Sequence, residues 1–184
     1  MLTTKIDVAV AVIRHDADVL NDASSNAVNS NTANSNAVNN NTSWFLLGHR
    51  HATQDQGDCH EFVGGKIEPS ETATDALIRE VQEEIGLDIR QNELTKLGEI
   101  EHDYPNKSVR LHVYEVRLSA EQYHEFNQSV TQTQVNNKNG QPALLGRLGQ
   151  PLVWASWQEL LGGRYRLPDA NAQILTWLSA WHQA

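Results

Sequence analysis

The chain has 184 residues, 39% of them hydrophobic, which is enough to bury a core as one domain without disulfide or metal staples. It carries 23 acidic and 14 basic residues, a formal net charge of −9, which argues against a surface that binds nucleic acid by neutralising its phosphates. A small phosphorylated substrate is still compatible with this charge, because a divalent metal can bridge acidic side chains and phosphate oxygens.

Cysteine usage and the N-terminal segment bear on the cellular compartment. The single cysteine, Cys59, excludes an intrachain disulfide and agrees with a reducing environment. Met1 to Val12 lacks the continuous apolar core and cleavage site of a signal peptide. No stretch approaches the roughly 20 apolar residues that span a bilayer. We therefore expect a cytoplasmic protein with no membrane segment.

The first predicted elements are two strands separated by a polar insertion. Ile6 to Ile13 is apolar and rich in β-branched residues, which predicts a buried strand, and Trp44 to Leu47 resumes the sheet. Residues 21–43 are almost entirely Asn, Ser, Thr, Ala and Val, and the stretch beginning at Ser25 nearly recurs from Ser35. Two copies of a ten-residue repeat cannot bury the core of a β-solenoid, so the composition favours an expanded hairpin loop.

Thr72 to Ile85 is the clearest predicted helix. Thr72 can cap its N-terminus, and Asp75 stands three residues further on, in the position of a capping box. Gly86 follows where a helix would end in the left-handed conformation.

The remaining elements complete a single predicted domain spanning 1–184. Three segments predict strands: Leu97 to Ile100, Val109 to Leu118, and Leu152 to Trp154. Gln128 to Gln141 is rich in Asn and Gln and predicts a second inserted loop, and Ala170 to Trp181 predicts a final helix. Helices interspersed with strands place the chain in the α/β (α+β) class, as an α/β/α sandwich with a mixed sheet.

One segment carries a dense pattern of charged residues and glycines. Its fixed positions are Gly65, Glu71, Arg79, Glu80, Glu83, Glu84 and Gly86, with apolar residues at 81 and 87. Seven fixed identities at about 6% each, over some 160 windows, give a chance expectation of roughly one in a million.

The spacing of the glutamates indicates a metal site. At about 100° per residue, Glu83 and Glu84 lie about 60° and 40° to either side of Glu80 on a helix. Three like charges on one stripe repel each other, and hard divalent cations with oxygen ligands, Mg²⁺ or Mn²⁺, would relieve that repulsion. The alternative for an isolated Glu-x-x-Glu-Glu sequence is an ordinary solvated face.

These residues resemble the signature motif of the Nudix hydrolases. The approach Glu61-Phe62-Val63-Gly64-Gly65 is similar too, and the likeness to MutT-like members covers most of residues 3–20 and 44–182. The resemblance implies a Mg²⁺-dependent enzyme that hydrolyses a nucleoside triphosphate, foremost 8-oxo-dGTP, to the monophosphate and pyrophosphate, and so cleans the nucleotide pool. The alternatives are another nucleoside triphosphate, a dinucleotide polyphosphate, or a nucleotide-sensing module without turnover.

The same resemblance implies roles for individual residues. The expected metal ligands are Glu80, Glu83, Glu84 and the carbonyl of Gly64. The expected catalytic set is Glu71, Arg79, Glu80 and Glu83, with Glu80 as general base. The expected substrate-binding residues are Arg50, Glu61, Phe62, Val63, Gly64 and Asn171.

Three of these assignments have a plain structural alternative. Asn171 could read a purine through its amide or only cap the last helix. Arg50 could contact the nucleotide or be a surface charge, and Phe62 could line a base pocket or fill the core. The chain departs from the MutT-like pattern at Asp55, which replaces a histidine, and at Leu148, which replaces an acidic residue.

Overall fold

A computed structural model describes residues 5–17, 42–50, 57–105, 107–136 and 142–182. Asp55 lies outside the described residues. So does most of the predicted insertion at 21–43, of which Thr42 and Ser43 are described as part of a strand.

The described residues form one nine-stranded mixed sheet. Its strands are β1 (Lys5–Ala17), β2 (Thr42–His49), β3 (His60–Glu61), β4 (Val63–Lys66), β5 (Leu94–Tyr104), β6 (Lys107–Arg117), β7 (Thr131–Asn136), β8 (Pro142–Leu145) and β9 (Pro151–Ser156). The order is β5-β6-β1-β2-β9-β8-β7, with β3 paired to β2 and β4 paired to β1. β1 and β6 run parallel, and the other described pairs are antiparallel.

Helices cover both faces of the sheet, which confirms the predicted α/β/α sandwich. They are α1 (Ala73–Ile85), α2 (Ala120–Val130), α3 (Trp157–Leu161) and α4 (Ala172–His182). Successive side chains of a strand point to opposite faces. Accordingly, Ala11 of β1 packs in one core with α1 and α2, whereas Val12 packs in the other with α3 and α4. Among the described helices, none combines the length and the apolar character needed to cross a bilayer.

α1 forms where the sequence predicted it, and its ends are capped as expected. The Thr72 hydroxyl accepts a hydrogen bond from the Asp75 backbone N–H at 3.2 Å, and the Asp75 carboxylate accepts one from the Thr72 N–H at 3.3 Å. Gly86 ends the helix with φ 77°, a conformation that costs glycine nothing. Leu77 and Val81 are buried against the sheet. Glu80 and Glu84 each follow one of them by three residues, so they lie along the border of that face, next to β4.

The strands flanking the first insertion are paired up to its edges. Ala17 of β1 stands opposite Thr42 of β2. The chain therefore leaves the sheet and returns to it at neighbouring positions. This pairing agrees with an expanded hairpin connection, which stays a prediction for residues 18–41.

The predicted loop from Gln128 to Gln141 is wrong for its first nine residues. Residues 128–130 are the last turn of α2, where Val130 is buried with Phe126, and Thr131–Asn136 form β7. The polar composition suggested a loop. Strand pairing is made by backbone groups, however, so β7 can pair with β8 in spite of its polar side chains. Residues 137–141 lie outside the described residues. The last helix also begins later than predicted, because Asp169–Asn171 form a 3-10 turn.

Candidate active site

β1 and β2 separate at one end of the sheet. The segment that carries most of the predicted binding residues lies between them. β1 pairs with β2 from Arg14 to Ala17 only, and further along it pairs with β4. There the chain from Glu61 to Gly64 runs between β1 and β2. Phe62 and Val63 consequently belong to the cores on opposite faces of the sheet.

Two glycines allow this segment to approach its neighbours closely. A Cβ at Gly64 would lie 2.1 Å from the Ala9 carbonyl oxygen, and a Cβ at Gly65 would lie 2.1 Å from the carboxyl carbon of Glu80. Neither position can hold a side chain without displacing its surroundings. The Gly-Gly pair therefore brings α1 and its glutamates against β4.

Arg79 gathers three of the predicted acidic residues. Its guanidinium donates to Glu71 at 2.5 and 3.1 Å, to Glu80 at 2.8 Å and to Glu83 at 3.3 Å. A fourth partner is the Lys66 carbonyl at 3.0 Å, which ties the group to β4. Hydrogen bonds from Arg79 hold the pKa of Glu71 below its usual value. The structure thus brings the predicted catalytic set Glu71, Arg79, Glu80 and Glu83 into one network.

Glu84 stands apart from that network and is enclosed by other acids. Burial raises the pKa of its carboxyl from 4.5 to about 7, and the charges of Glu61 and Glu80 act in the same direction. A hydrogen bond from the Gly64 backbone N–H partly opposes this rise. Burial also raises the pKa of Glu61, although Arg50 donates to that carboxylate at 2.7 Å.

The donor groups fit a hard divalent cation. In the part of the chain that the structure describes, no three His, Cys, Asp or Glu side chains converge closely enough to form a metal-binding group by themselves. The crowding of Glu84 by Glu61 and Glu80 is nevertheless unfavourable, and a divalent cation held by oxygens would relieve it. The side chain of Glu83 is 60% exposed, and its ion pair with Arg79 holds its carboxylate on the same side as these acids.

The raised pKa of Glu84 predicts how pH affects the metal-free protein. Because the pKa is higher in the folded chain than in the unfolded one, the contribution of Glu84 to stability is fully present below pH 4.5 and is lost as the pH rises through 7. Because of this group, we expect the free energy of unfolding to fall by about 2–3 kcal/mol between pH 4.5 and pH 8. Urea unfolding in EDTA at both pH values measures the loss, which should be smaller in Glu84→Gln. An equal pH dependence in the two proteins would show that the Glu84 carboxyl does not cause it.

A cavity of about 140 Å³ lies on the α4 side of this segment. The predicted binding residues that line it are Arg50, Glu61, Phe62, Gly64 and Asn171. Arg50 lines the cavity and donates to Glu61, and Phe62 both packs in the core and lines the cavity.

Tyr104 and Lys107 also line this cavity, although neither was predicted as a binding residue. They stand opposite each other at the turn between β5 and β6. The signal that could have found them is an aromatic residue and a lysine flanking a hairpin turn.

Asn171 is one of the residues that line the smaller cavity. Its side chain sits in the 3-10 turn before α4, and the residue is 7% exposed. Its backbone N–H donates to the Pro168 carbonyl at 2.8 Å. Within the described residues the side-chain amide makes no hydrogen bond and caps neither the 3-10 turn nor α4. The helix-cap alternative therefore has no support in the structure.

A larger cavity, of about 410 Å³, lies on the α1 side. Val63 lines this cavity and not the smaller one, and Glu61 lines both. Glu84 and Leu148 also line it. The predicted binding residues are thus divided between two cavities that meet at Glu61.

The fold and the site together define a class of protein: an α/β/α sandwich in which glutamates of one helix are packed against a Gly-Gly strand beside a divided sheet. The NUDIX domain model matches residues 32–178. The chain belongs to the Nudix hydrolase family. Enzymes of this family act on small nucleotide substrates and generally use divalent metals such as Mg²⁺.

Relatives in the family differ in the nucleotides for which they are named. An 8-oxo-dGTP diphosphatase of Proteus vulgaris is 41% identical over 66 residues, which cover 36% of this chain and 57% of that protein. A CTP pyrophosphohydrolase of Escherichia coli (strain K12) is 35% identical over 130 residues, which cover 71% of this chain and 78% of that protein. The crystal structure of a MutT protein from Methanosarcina mazei Go1 shares the fold, with a TM-score of 0.62 at 16% identity and coverage of 100% of this chain and 99% of that one.

Proposed function

We propose that this Nudix hydrolase is an 8-oxo-dGTP diphosphatase, which releases the monophosphate and pyrophosphate in the presence of Mg²⁺. The observation that carries the proposal is the position of Asn171, a residue only 7% exposed that lines a cavity together with Arg50 and Phe62. An amide offers one donor and one acceptor group. 8-Oxoguanine presents O6 as acceptor and N7–H as donor, whereas N7 of guanine is an acceptor.

The position of the smaller cavity suits a nucleotide whose phosphates extend towards α1. Gly64 lines this cavity, and its N–H donates to the Glu84 carboxylate. A base bound beside Phe62 would therefore have its phosphates close to the glutamates. Removing oxidised nucleotides in this way would protect DNA replication from mutation.

The proposed roles of the glutamates follow from their contacts. Glu80, Glu83, Glu84 and the Gly64 carbonyl would hold Mg²⁺, which, when bound, neutralises phosphate charge and makes water more acidic. Arg79 orients Glu80 and Glu83 through its hydrogen bonds, and Glu71 fixes Arg79 from the opposite side. We assign Glu80 as the general base, since its side chain is only 16% exposed and is held against Gly65.

A second candidate substrate is CTP. The relative named for CTP matches 130 residues of this chain, and cytosine also presents a donor beside an acceptor, to which one amide can bond. A binding module without turnover is less well supported, because the connected set Glu71, Arg79, Glu80 and Glu83 is complete.

Kinetics on a nucleotide panel test the proposal. With Mg²⁺ we expect kcat/KM for 8-oxo-dGTP to exceed that for dGTP by about 10²-fold or more, since buried hydrogen bonds discriminate strongly. Chromatography should show the monophosphate and pyrophosphate as products. The highest kcat/KM on CTP would favour the second candidate. Binding of a nucleotide without hydrolysis of any would favour the sensing module.

A further inference from the structure

The C-terminal end of α1 lies against the loop of residues 146–150, which comes from a distant part of the chain. The last carbonyls of a helix have no partner within it and need hydrogen bonds from elsewhere. Gly86 satisfies one of them, since its N–H donates to the Gln82 carbonyl at 3.1 Å. The last turn of α1 carries no basic residue that would balance its partial negative charge. The end of the helix that carries Glu84 therefore depends on partners from outside the helix.

The loop supplies those partners, and the Glu84 carbonyl receives two of them. The Arg147 backbone N–H donates to this carbonyl at 2.8 Å, and the Gln150 side-chain amide donates to the same oxygen at 3.0 Å. The Arg147 guanidinium also donates to the Gln82 carbonyl at 3.3 Å. It lies so close to Gly86 that a Cβ there would come within 2.5 Å of its Nε. The loop thus holds the last turn of α1 through one side-chain amide, one guanidinium and one backbone group.

The amide of Gln150 joins the loop to the helix. Its oxygen accepts a hydrogen bond from the Leu148 N–H at 3.1 Å, while its nitrogen donates to Glu84. A Cβ at Gly146 would lie 2.5 Å from the carboxamide carbon of Gln150, so the glycine leaves the space that the amide occupies. The Gly146 N–H also donates to the Gln150 carbonyl at 2.9 Å. Both ends of the amide are therefore engaged, one in the loop and one on α1.

Glu84 needs this restraint because its carboxylate stands in an unfavourable place. The charges of Glu61 and Glu80 repel it, and its one backbone hydrogen bond comes from the Gly64 N–H. The last turn of a helix opens more easily than its middle, and an open turn would let the carboxylate move away from its neighbours. The two hydrogen bonds to the Glu84 carbonyl oppose that movement from the other side of the residue.

We propose that Gln150 is a positioning residue, which holds the last turn of α1 so that the Glu84 carboxylate stays where it can bind Mg²⁺ with Glu80 and Glu83. The inference rests on the proposed function, in which Glu84 is a ligand of the metal. Gln150 acts through the backbone of Glu84, to which its amide nitrogen is bonded. Residues that orient a metal ligand contribute about 10- to 100-fold to metal affinity.

Unfolding temperatures recorded across a Mg²⁺ titration test this role without any turnover, since the rise in temperature reports the affinity for the metal. Gln150→Met keeps the length of the side chain and loses its N–H groups. We expect its Kd for Mg²⁺ to rise about tenfold. In kinetics on the best nucleotide, the Mg²⁺ concentration for half-maximal rate should rise by the same factor, and saturating Mg²⁺ should restore most of kcat.

Gln122→Met on α2 is the matched control. The Gln122 amide donates to Asn92 at 2.8 Å and accepts from the Ser119 N–H at 3.1 Å, so it too joins two segments of the chain. This variant should lower the unfolding temperature in EDTA as Gln150→Met does, yet leave the affinity for Mg²⁺ unchanged. An equal loss of affinity in the two variants would show that general destabilisation causes it, and would overturn the positioning role.

A double-mutant cycle tests whether Gln150 acts through Glu84. In a Glu84→Gln background the positioned carboxylate is already lost, so Gln150→Met should change the affinity for Mg²⁺ little. The same effect in both backgrounds would overturn the proposal. Gln150→Asn, whose amide is one methylene shorter, takes the place of Gln150→Met if that variant does not fold.

The same titration separates failure of the positioning role from failure of the proposed function. A loss of Mg²⁺ affinity in Glu84→Gln, with none in Gln150→Met, would overturn the positioning role alone. An affinity that Glu84→Gln leaves unchanged would defeat the metal assignment of the proposed function and the positioning role with it. A wild type that hydrolyses no nucleotide would defeat the diphosphatase, and the Mg²⁺ titration would still decide the role of Gln150.

Discussion

Glu84→Gln is expected to lower kcat on the best nucleotide by about 10³-fold or more, while the protein stays folded. The substitution keeps the shape of the side chain but removes the negative charge that faces Glu61 and Glu80. A ligand charge lost from a metal that stabilises the transition state costs several kcal/mol, and each 1.36 kcal/mol is tenfold in rate. Steady-state kinetics at saturating Mg²⁺ measure the loss.

A stability measurement distinguishes this effect from damage to the fold. Because Glu84 repels two neighbouring carboxylates in the metal-free protein, Glu84→Gln should unfold at the same or a higher temperature in EDTA at pH 8. The stabilisation that Mg²⁺ gives the wild type should largely disappear in the variant. Glu121→Gln, an exposed glutamate in the first turn of α2, is the matched control and should change neither quantity. Turnover of Glu84→Gln within tenfold of wild type would remove Glu84 from the proposed metal ligands.

The elements that could be predicted from the sequence are those determined by residues close to one another in the chain. α1 depends on a cap at Thr72, a regular apolar face and Gly86, all within fifteen residues of sequence. The network around Arg79 is equally local, since the acids it contacts lie within eight residues of it. Their spacing on a helix was therefore sufficient to predict that they meet.

The parts that escaped prediction depend on distant contacts. α2 has a mostly polar sequence and is held by the burial of Phe126 and Val130 against the sheet. Its one local signal, the capping box of Ser119 and Gln122, was overlooked because no regular apolar face follows it. β7 owes its pairing to β8 and not to its own composition. The same reason applies within the site. Phe62 and Val63 are neighbours in sequence, yet the division between two cavities exists only because the sheet opens around them.

Asn171→Ala is expected to abolish most of the preference for 8-oxo-dGTP over dGTP. If the amide bonds both O6 and N7–H of the oxidised base, its removal leaves both groups without their protein partner. The ratio of the two kcat/KM values should fall by at least about a hundredfold, since such sites can discriminate by about 10⁴. Most of the fall should be in kcat/KM for 8-oxo-dGTP, because the glutamates on α1 are untouched. Parallel kinetics on both nucleotides provide the test.

Asn171→Asp separates the two halves of that recognition. The carboxylate keeps an acceptor for N7–H but loses the donor for O6, so the preference should fall to a value between those of wild type and Asn171→Ala. Both variants should retain wild-type thermal stability, because the side chain caps neither the 3-10 turn nor α4 and the bond to the Pro168 carbonyl comes from the backbone. A selective wild type with an equally selective Asn171→Ala would move base recognition to the other polar groups of the cavity, Arg50 and Lys107. A wild type without any preference for 8-oxo-dGTP would defeat the substrate assignment and leave membership of the Nudix hydrolase family as it is.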